Sequence, residues 1–106
     1  MMLVYRKSLE VVRGLGLAAE RSALRDADLA RQLRRAAASV PLNIAEGTNA
    51  RGRRQGASFG IALGSARESR ACLDVGVALG YLGDGVDDAL LDALDHVTAM
   101  LYRLSR

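Results

Sequence analysis

Val86, Leu90, Leu94, Val97, Leu101 and Leu104 step along the chain by four, four, three, four and three residues. That is the spacing of one face of an α-helix. Asp87, Asp88, Asp92 and Asp95 fall off this stripe. Aspartates early in a helix suit its positive dipole end, and Arg103 and Arg106 suit the negative end. Asp84 is the predicted N-terminal cap, with Gly83 and Gly85 making the turn around it.

The same pattern opens the chain, where Val4, Ser8, Val11, Leu15 and Ala18 define a helical face. The charged stretch from Arg21 to Asp28 is expected to be a connection, with Asp26 or Asp28 capping the helix that follows. In that second helix the face is Leu29, Leu33, Ala36, Val40 and Ile44, and Pro41 interrupts it. Proline lacks an N–H and crowds the carbonyl four residues back, here that of Ala37, so a kinked helix and a helix break compete. The apolar spacing runs straight through Pro41, which favours the kink, with Gly47 and Asn49 as the C-terminal stop.

The third segment is predicted to be helical from about Arg53 to Leu82. Gly56, Gly60 and Gly64 recur every four residues and so line one side of it. Each glycine in a helix costs about 1 kcal/mol relative to alanine, so the stripe implies close packing of another helix, within the bundle or between subunits. Gly76 and Gly80 form a second pair with this spacing. Four helices with short connections place neighbours antiparallel. The expected fold is an all-α, antiparallel up-down four-helix bundle, one domain spanning residues 1–106, with its second helix kinked at Pro41.

Composition agrees. Half of the 106 residues are hydrophobic and a quarter are charged, as in a globular chain. With three Tyr, one Phe and no Trp, the core must be built from Leu, Val, Ile and Ala. One cysteine, Cys72, cannot form an internal disulfide. The start of the chain is unlike a signal peptide, and no apolar run approaches the roughly 18 residues of a membrane span. A soluble cytoplasmic protein, away from membranes, is the expectation.

Charge changes the picture more. The net charge is only +3, but it is unevenly spread. From Arg31 to Arg70 there are eight arginines against two glutamates, and from Ala71 to Arg106 two arginines against six aspartates. This implies either a dipolar surface for self-association or a basic face for nucleic acid. The segment from Asn49 to Gly56 sets Arg51, Arg53 and Arg54 among small residues. Arginine binds phosphate in a bidentate way, so these three are the candidate phosphate contacts, with Arg31, Arg34 and Arg35 extending the patch. The alternative is a solvated basic loop. The segment has no aromatic residue for base stacking, which argues against sequence reading.

A polar stripe accompanies the apolar one in the second helix. Arg35, Ser39, Asn43 and Glu46, at offsets of 0, 4, 8 and 11, fall within about 80° of one another around the axis. Two readings stand: structural, with Glu46 and Asn43 satisfying backbone groups freed by Pro41 or pairing with Arg35 or a subunit neighbour, and functional, as a ligand or RNA contact.

Catalytic patterns are missing. His96 is the one histidine, near Asp92 and Asp95, without the repeated ligand spacing of a metal site. Cys72 has no other histidine to serve as a base, and reads as a buried small hydrophobe. Gly80-Tyr81-Leu82-Gly83 lacks the Lys and the strand context of a phosphate loop. No catalytic residue, metal, cofactor or small-molecule substrate is expected.

The block Gln32-Leu33-Arg34-Arg35-Ala36-Ala37-Ala38-Ser39-Val40-Pro41-Leu42-Asn43-Ile44-Ala45-Glu46-Gly47 resembles the signature of the bacterial four helix bundle protein family. Ile61-Ala62-Leu63-Gly64-Ser65 with Glu68, and Leu79-Gly80-Tyr81-Leu82, resemble its second and third blocks. The family includes proteins encoded in intervening sequences of large-subunit ribosomal RNA genes, and is related to the accessory variability determinant of diversity-generating retroelements. The resemblance covers about residues 4–104. It implies a bundle assembled as a ring-like homopentamer, without enzymatic activity. The accessory protein it resembles is basic and binds a reverse transcriptase and nucleic acid. Two departures stand out: Tyr5 takes the place of a tryptophan, and Gln55-Gly56-Ala57-Ser58-Phe59 replaces a Lys-Glu-Phe pattern.

Two functions are therefore carried forward. One is a non-enzymatic oligomer binding RNA or DNA by its basic face, as accessory to a reverse transcriptase. The other is a protein-interaction or scaffolding module, in which the basic second and third helices face the acidic fourth helix of a neighbour.

Overall fold

The computed structural model describes residues 2–106. Four α-helices are present among them: α1 (Met2–Ala23), α2 (Ala27–Thr48), α3 (Gly52–Ala78) and α4 (Asp88–Leu104). The molecule is 43 Å long. Helix α1 packs against α2 and α4, α3 packs against the same two, and α2 and α4 make no packing contact with each other among the described residues. Each helix thus runs antiparallel to two neighbours, as short connections require. The core is aliphatic, as the composition implies, with Leu15, Leu33, Ile44, Leu73, Leu94 and Leu101 fully enclosed, and Phe59 as its fully buried aromatic.

Helix α2 is continuous through Pro41, whose side chain is buried, so Pro41 does not break the helix. Asp26 is the cap: its carboxylate accepts the Leu29 N–H at 2.9 Å. The connection is shorter than the charge pattern implies. Helix α1 runs on to Ala23, because Ser22 is buried and faces the core with its hydroxyl donating to the Ala18 carbonyl at 3.0 Å.

Helix α3 ends at Ala78, four residues before the predicted limit at Leu82. Gly80 ends it, with φ at +79°. The Tyr81 N–H reaches the Gly76 carbonyl at 2.9 Å and the Gly80 N–H reaches that of Val77 at 3.0 Å. This pair of bonds around a left-handed residue is a Schellman stop. Gly76 and Gly80 therefore do not share a helical face. Leu82 then folds back and is fully buried, closing that end of the bundle.

The last helix starts at Asp88, and its cap is Asp87, which accepts the Ala89 N–H at 3.0 Å, rather than Asp84. Asp84 lies one turn too early, in the exposed bend between Gly83 and Gly85. The loop is held by α1. The Arg21 guanidinium donates to the Leu82 carbonyl at 2.6 Å and to that of Gly85 at 3.5 Å.

Gly47 lies inside α2, so it is not part of the stop; its missing side chain makes room for the Phe59 ring. Along the predicted glycine stripe, only Gly56 has a close neighbour, the carbonyl of Ser105 just past the end of α4, 3.5 Å from where a Cβ would stand. Gly60 and Gly64 face open space. No helix of this chain packs there among the described residues.

Candidate nucleic-acid interface

The two ends of the bundle differ in charge. One end gathers the start of α1, the end of α2, the start of α3 and the end of α4. Gly56 beside Ser105 places α3 against α4 there, and shallow hollows lined by Tyr5 with Thr48, and by Val4 with Arg103, place α1 between α2 and α4. This pole carries Arg6, Lys7, Arg51, Arg53, Arg54, Arg103 and Arg106. Within residues 2–7, 46–56 and 102–106 the one acidic side chain is Glu46. The opposite pole carries Glu20, Asp26, Asp28, Asp84, Asp87 and Asp88. Of its arginines, Arg21 is turned into the loop carbonyls, Arg31 is paired with Asp28, and Arg25 is exposed with no ion pair among the described residues.

The structure splits the six arginines singled out from the sequence. Arg51, Arg53 and Arg54 are exposed at the basic pole, and none of them has an ion pair among the described residues. Arg31, Arg34 and Arg35 are also exposed, but lie in the first half of α2. At 1.5 Å per residue, Arg35 is roughly 20 Å along the axis from the end of α2. They do not extend the Arg51–Arg54 cluster. What does extend it is Arg6, Lys7, Arg103 and Arg106, which lie near the two ends of the sequence and come together only in the bundle. The one sequence signal for Arg103 and Arg106 was their position at the end of the last apolar stripe, and it pointed to a helix dipole instead.

A hollow of about 510 Å³ opens at this pole, lined by Glu46, Asn49, Ala50, Arg51, Arg54 and Ser58. Its floor is rigid. The carbonyls at the end of α2 are taken by the Thr48 hydroxyl on Ile44 at 2.8 Å, the Asn49 amide on Ala45 at 3.1 Å, and the Gln55 amide on Gly47 and Ala50 at 3.0 and 3.1 Å. The start of α3 has no side-chain cap and no acid in its first turn, so its free N–H groups add to the positive potential. Gly52 makes the bend with φ at +59°. The chemistry available is that of an anion site, with bidentate arginine donors beside a single carboxylate.

The polar stripe on α2 separates into two parts. The Asn43 amide donates to the Ser39 carbonyl at 2.8 Å and to the Ser39 hydroxyl at 3.0 Å, and the Ser65 hydroxyl of α3 donates to that same oxygen at 2.7 Å. Ser39 and Asn43 thus fix the register of α2 on α3. Asn43 bonds at Ser39 and not at the Ala37 carbonyl crowded by Pro41. Arg35 and Glu46 are exposed and about 16 Å apart along the helix, too far to pair.

Cys72 is buried, and burial, followed by the nearby Glu68 carboxylate, pushes its thiol above the ordinary range. His96 is exposed on α4. Among the described residues there is no group of three or more His, Cys, Asp or Glu placed to hold a metal, and no helix long and apolar enough to cross a membrane.

Residues 2–103 match the 23S rRNA-intervening sequence protein family. The chain belongs to this family. Among solved structures it is similar to a protein of unknown function from the S23 ribosomal protein family of Bacteroides thetaiotaomicron. The TM-score is 0.83 at 19% identity, over 97% of this chain and 98% of that one. At that identity the likeness establishes the shared four-helix fold. Comparison with curated proteins finds no match.

Proposed function

We propose that this member of the intervening-sequence protein family is a non-enzymatic nucleic-acid-binding protein, and that the basic pole is its binding surface. The observation that carries the reading is the convergence of seven cationic side chains from three chain segments on one end of the bundle, with Glu46 the one acidic side chain in those segments. A surface of one sign concentrates polyanions and speeds their encounter. The arginines there are free to engage phosphate, and the hollow beside Arg51 and Arg54 gives one phosphate group a defined seat.

The test is binding of labelled RNA and DNA, single- and double-stranded, across a salt series. Binding is expected to weaken steeply with salt, each phosphate contact adding about 0.7 to 0.9 to the slope of log affinity against log salt. The triple variant R51E/R53E/R54E should bind weakly with a reduced slope, while R31E/R34E/R35E should change little. Failure of the wild-type chain to bind any probe at about 50 mM salt, where such contacts are strongest, would sink the reading.

A second reading, assembly of several copies, is favoured by a different observation. Ala57, Ile61, Gly64, Glu68, Ala71, Val75 and Ala78 step by four and three along α3, and all are exposed. An apolar seam with that spacing is what a helix presents to another helix, with Glu68 its one polar position. Leu42 of α2, 67% exposed, lies at the level of Ile61, 56% exposed, in the register set by Ser39 and Ser65. We infer that copies of the chain associate along this seam, with a homopentamer as the expected size. Mass measurement in solution tests this; a monomer at tens of micromolar refutes it, and Ile61→Glu should dissociate the assembly.

A further inference from the structure

We propose that the basic pole is built for single-stranded nucleic acid, with one base stacking on the Tyr102–Arg106 pair. This inference rests on the preceding reading and names its ligand class. Among the described residues, Tyr102 is the exposed aromatic side chain, at 48% of its surface; Tyr5 and Tyr81 are half-buried and Phe59 is 1% exposed. An exposed tyrosine does nothing for the core, and this one stands in the last turns of α4 between the cationic side chains of the pole. The Arg106 guanidinium lies over its ring, 5.3 Å from the centroid, a cation–π arrangement that adds a second flat, charged surface.

Helix α3 carries little bulk near the level of the tyrosine. Gly56 is beside Ser105, so one turn further into the bundle Gly60 comes level with about Leu101, the residue next to Tyr102, on the antiparallel helix. A Cβ at Gly60 would have nothing within 4 Å. The α3 surface at that level therefore carries no side chain at Gly60 and is uncrowded, and Arg53 lies one turn before Gly56. An open aromatic beside arginines is how proteins hold unpaired bases, since every base has a π face and its phosphates seek the cations. In a duplex the base faces are stacked on one another and cannot reach the ring, so the occupant is a single strand.

The experiment compares three probes on the full chain at low salt: an oligothymidylate of about twelve nucleotides, an abasic strand of equal length, and a duplex. The oligothymidylate should bind tightest and should quench tyrosine emission, which is readable because the chain has no tryptophan. Tyr102→Ala should weaken oligothymidylate binding by about 5- to 100-fold, leave the abasic strand unchanged, and abolish the quenching. Tyr102→Phe should keep the affinity. Equal binding of oligothymidylate and abasic strand by the wild-type chain, or equal oligothymidylate affinity of wild type and Tyr102→Ala, would overturn this inference. In either case, loss of binding in R51E/R53E/R54E would leave the basic-pole reading standing. No binding of any probe by the wild-type chain would overturn both.

Discussion

The Phe59 ring lies directly across Gly47: a Cβ at position 47 would stand 2.7 Å from the ring edge, and the ring is enclosed on its other sides. The contact joins the last turn of α2 to the second turn of α3, and so supports the loop that presents Arg51 and Arg54. Gly47→Ala should therefore destabilise the fold despite alanine's better helix propensity. Overpacking costs about 1–3 kcal/mol, against about 1 kcal/mol gained from propensity. Urea unfolding would show the net loss; a variant as stable as the wild type would mean that the ring can move aside.

Gly60→Ala and Gly64→Ala are the contrasting pair. Each faces open space, so in a monomer each should add up to about 1 kcal/mol. If copies associate along α3, the methyl group at Gly64 falls at the seam, so for Gly64→Ala the gain in thermal stability should come with weaker assembly, whereas Gly60→Ala should leave assembly unchanged. Melting temperature and solution mass, measured on the same samples, separate the two effects.

Arg21 anchors the connection between α3 and α4 through the Leu82 and Gly85 carbonyls. Hydrogen bonds from a charged donor contribute about 1.5–3 kcal/mol when desolvated, and this donor is itself exposed. Arg21→Ala is expected to cost about 1 kcal/mol, below that range because the donor is solvent-screened. Its sharper mark should be faster amide exchange in residues 79–87, with α1 and α2 unchanged.

The Ser39 and Ser65 hydroxyls couple α2 to α3. A double-mutant cycle with Ser39→Ala and Ser65→Ala should return a coupling of about 0.5–1.5 kcal/mol. Asn43→Ala should lose a similar amount by releasing both contacts at Ser39. Nucleic-acid affinity should be unaffected by all three, because the network lies away from the basic pole.

Cys72 gives a pH prediction. Its thiol is held above the ordinary range by burial and by Glu68, so the folded chain keeps the proton more tightly than the unfolded chain. The associated stability is fully present below the unfolded thiol's value and is lost as pH rises past about 9 towards the folded value. Cys72→Ala should remove that part of the alkaline decline. Alkylation at neutral pH should be slow and limited by unfolding.

Three of the helical faces were legible because apolar residues recur at helical spacing: Leu90, Leu94, Val97 and Leu101 lie under one another whatever surrounds them. The third helix was harder. Its outer face, Ala57, Ile61, Ala71 and Val75, is apolar as well, so periodicity did not mark its limits, and the left-handed turn at Gly80 ended it early. The sequence pointed to Asp84 as the cap of the last helix, but the chain is still turning through Gly83 and Gly85 there, after burying Leu82, and Asp87 is the cap. The basic pole was only half legible. Arg51, Arg53 and Arg54 are neighbours in sequence, whereas Arg6, Arg103 and Tyr102 join them only through the antiparallel path of the chain.

That path also gives the molecule a head and a tail. Cations collect at one end of a 43 Å rod and carboxylates at the other. Copies standing side by side and pointing the same way set like against like at both ends, so added salt should tighten such a ring by screening the repulsion. Copies stacked head to tail set opposites together, and added salt should loosen them. Ionic strength therefore acts as a compass for the assembly: the sign of its effect on the mass in solution reports which way neighbouring rods point. A parallel ring would also bring every copy's arginines to one face, turning several modest clusters into one broad cationic landing surface.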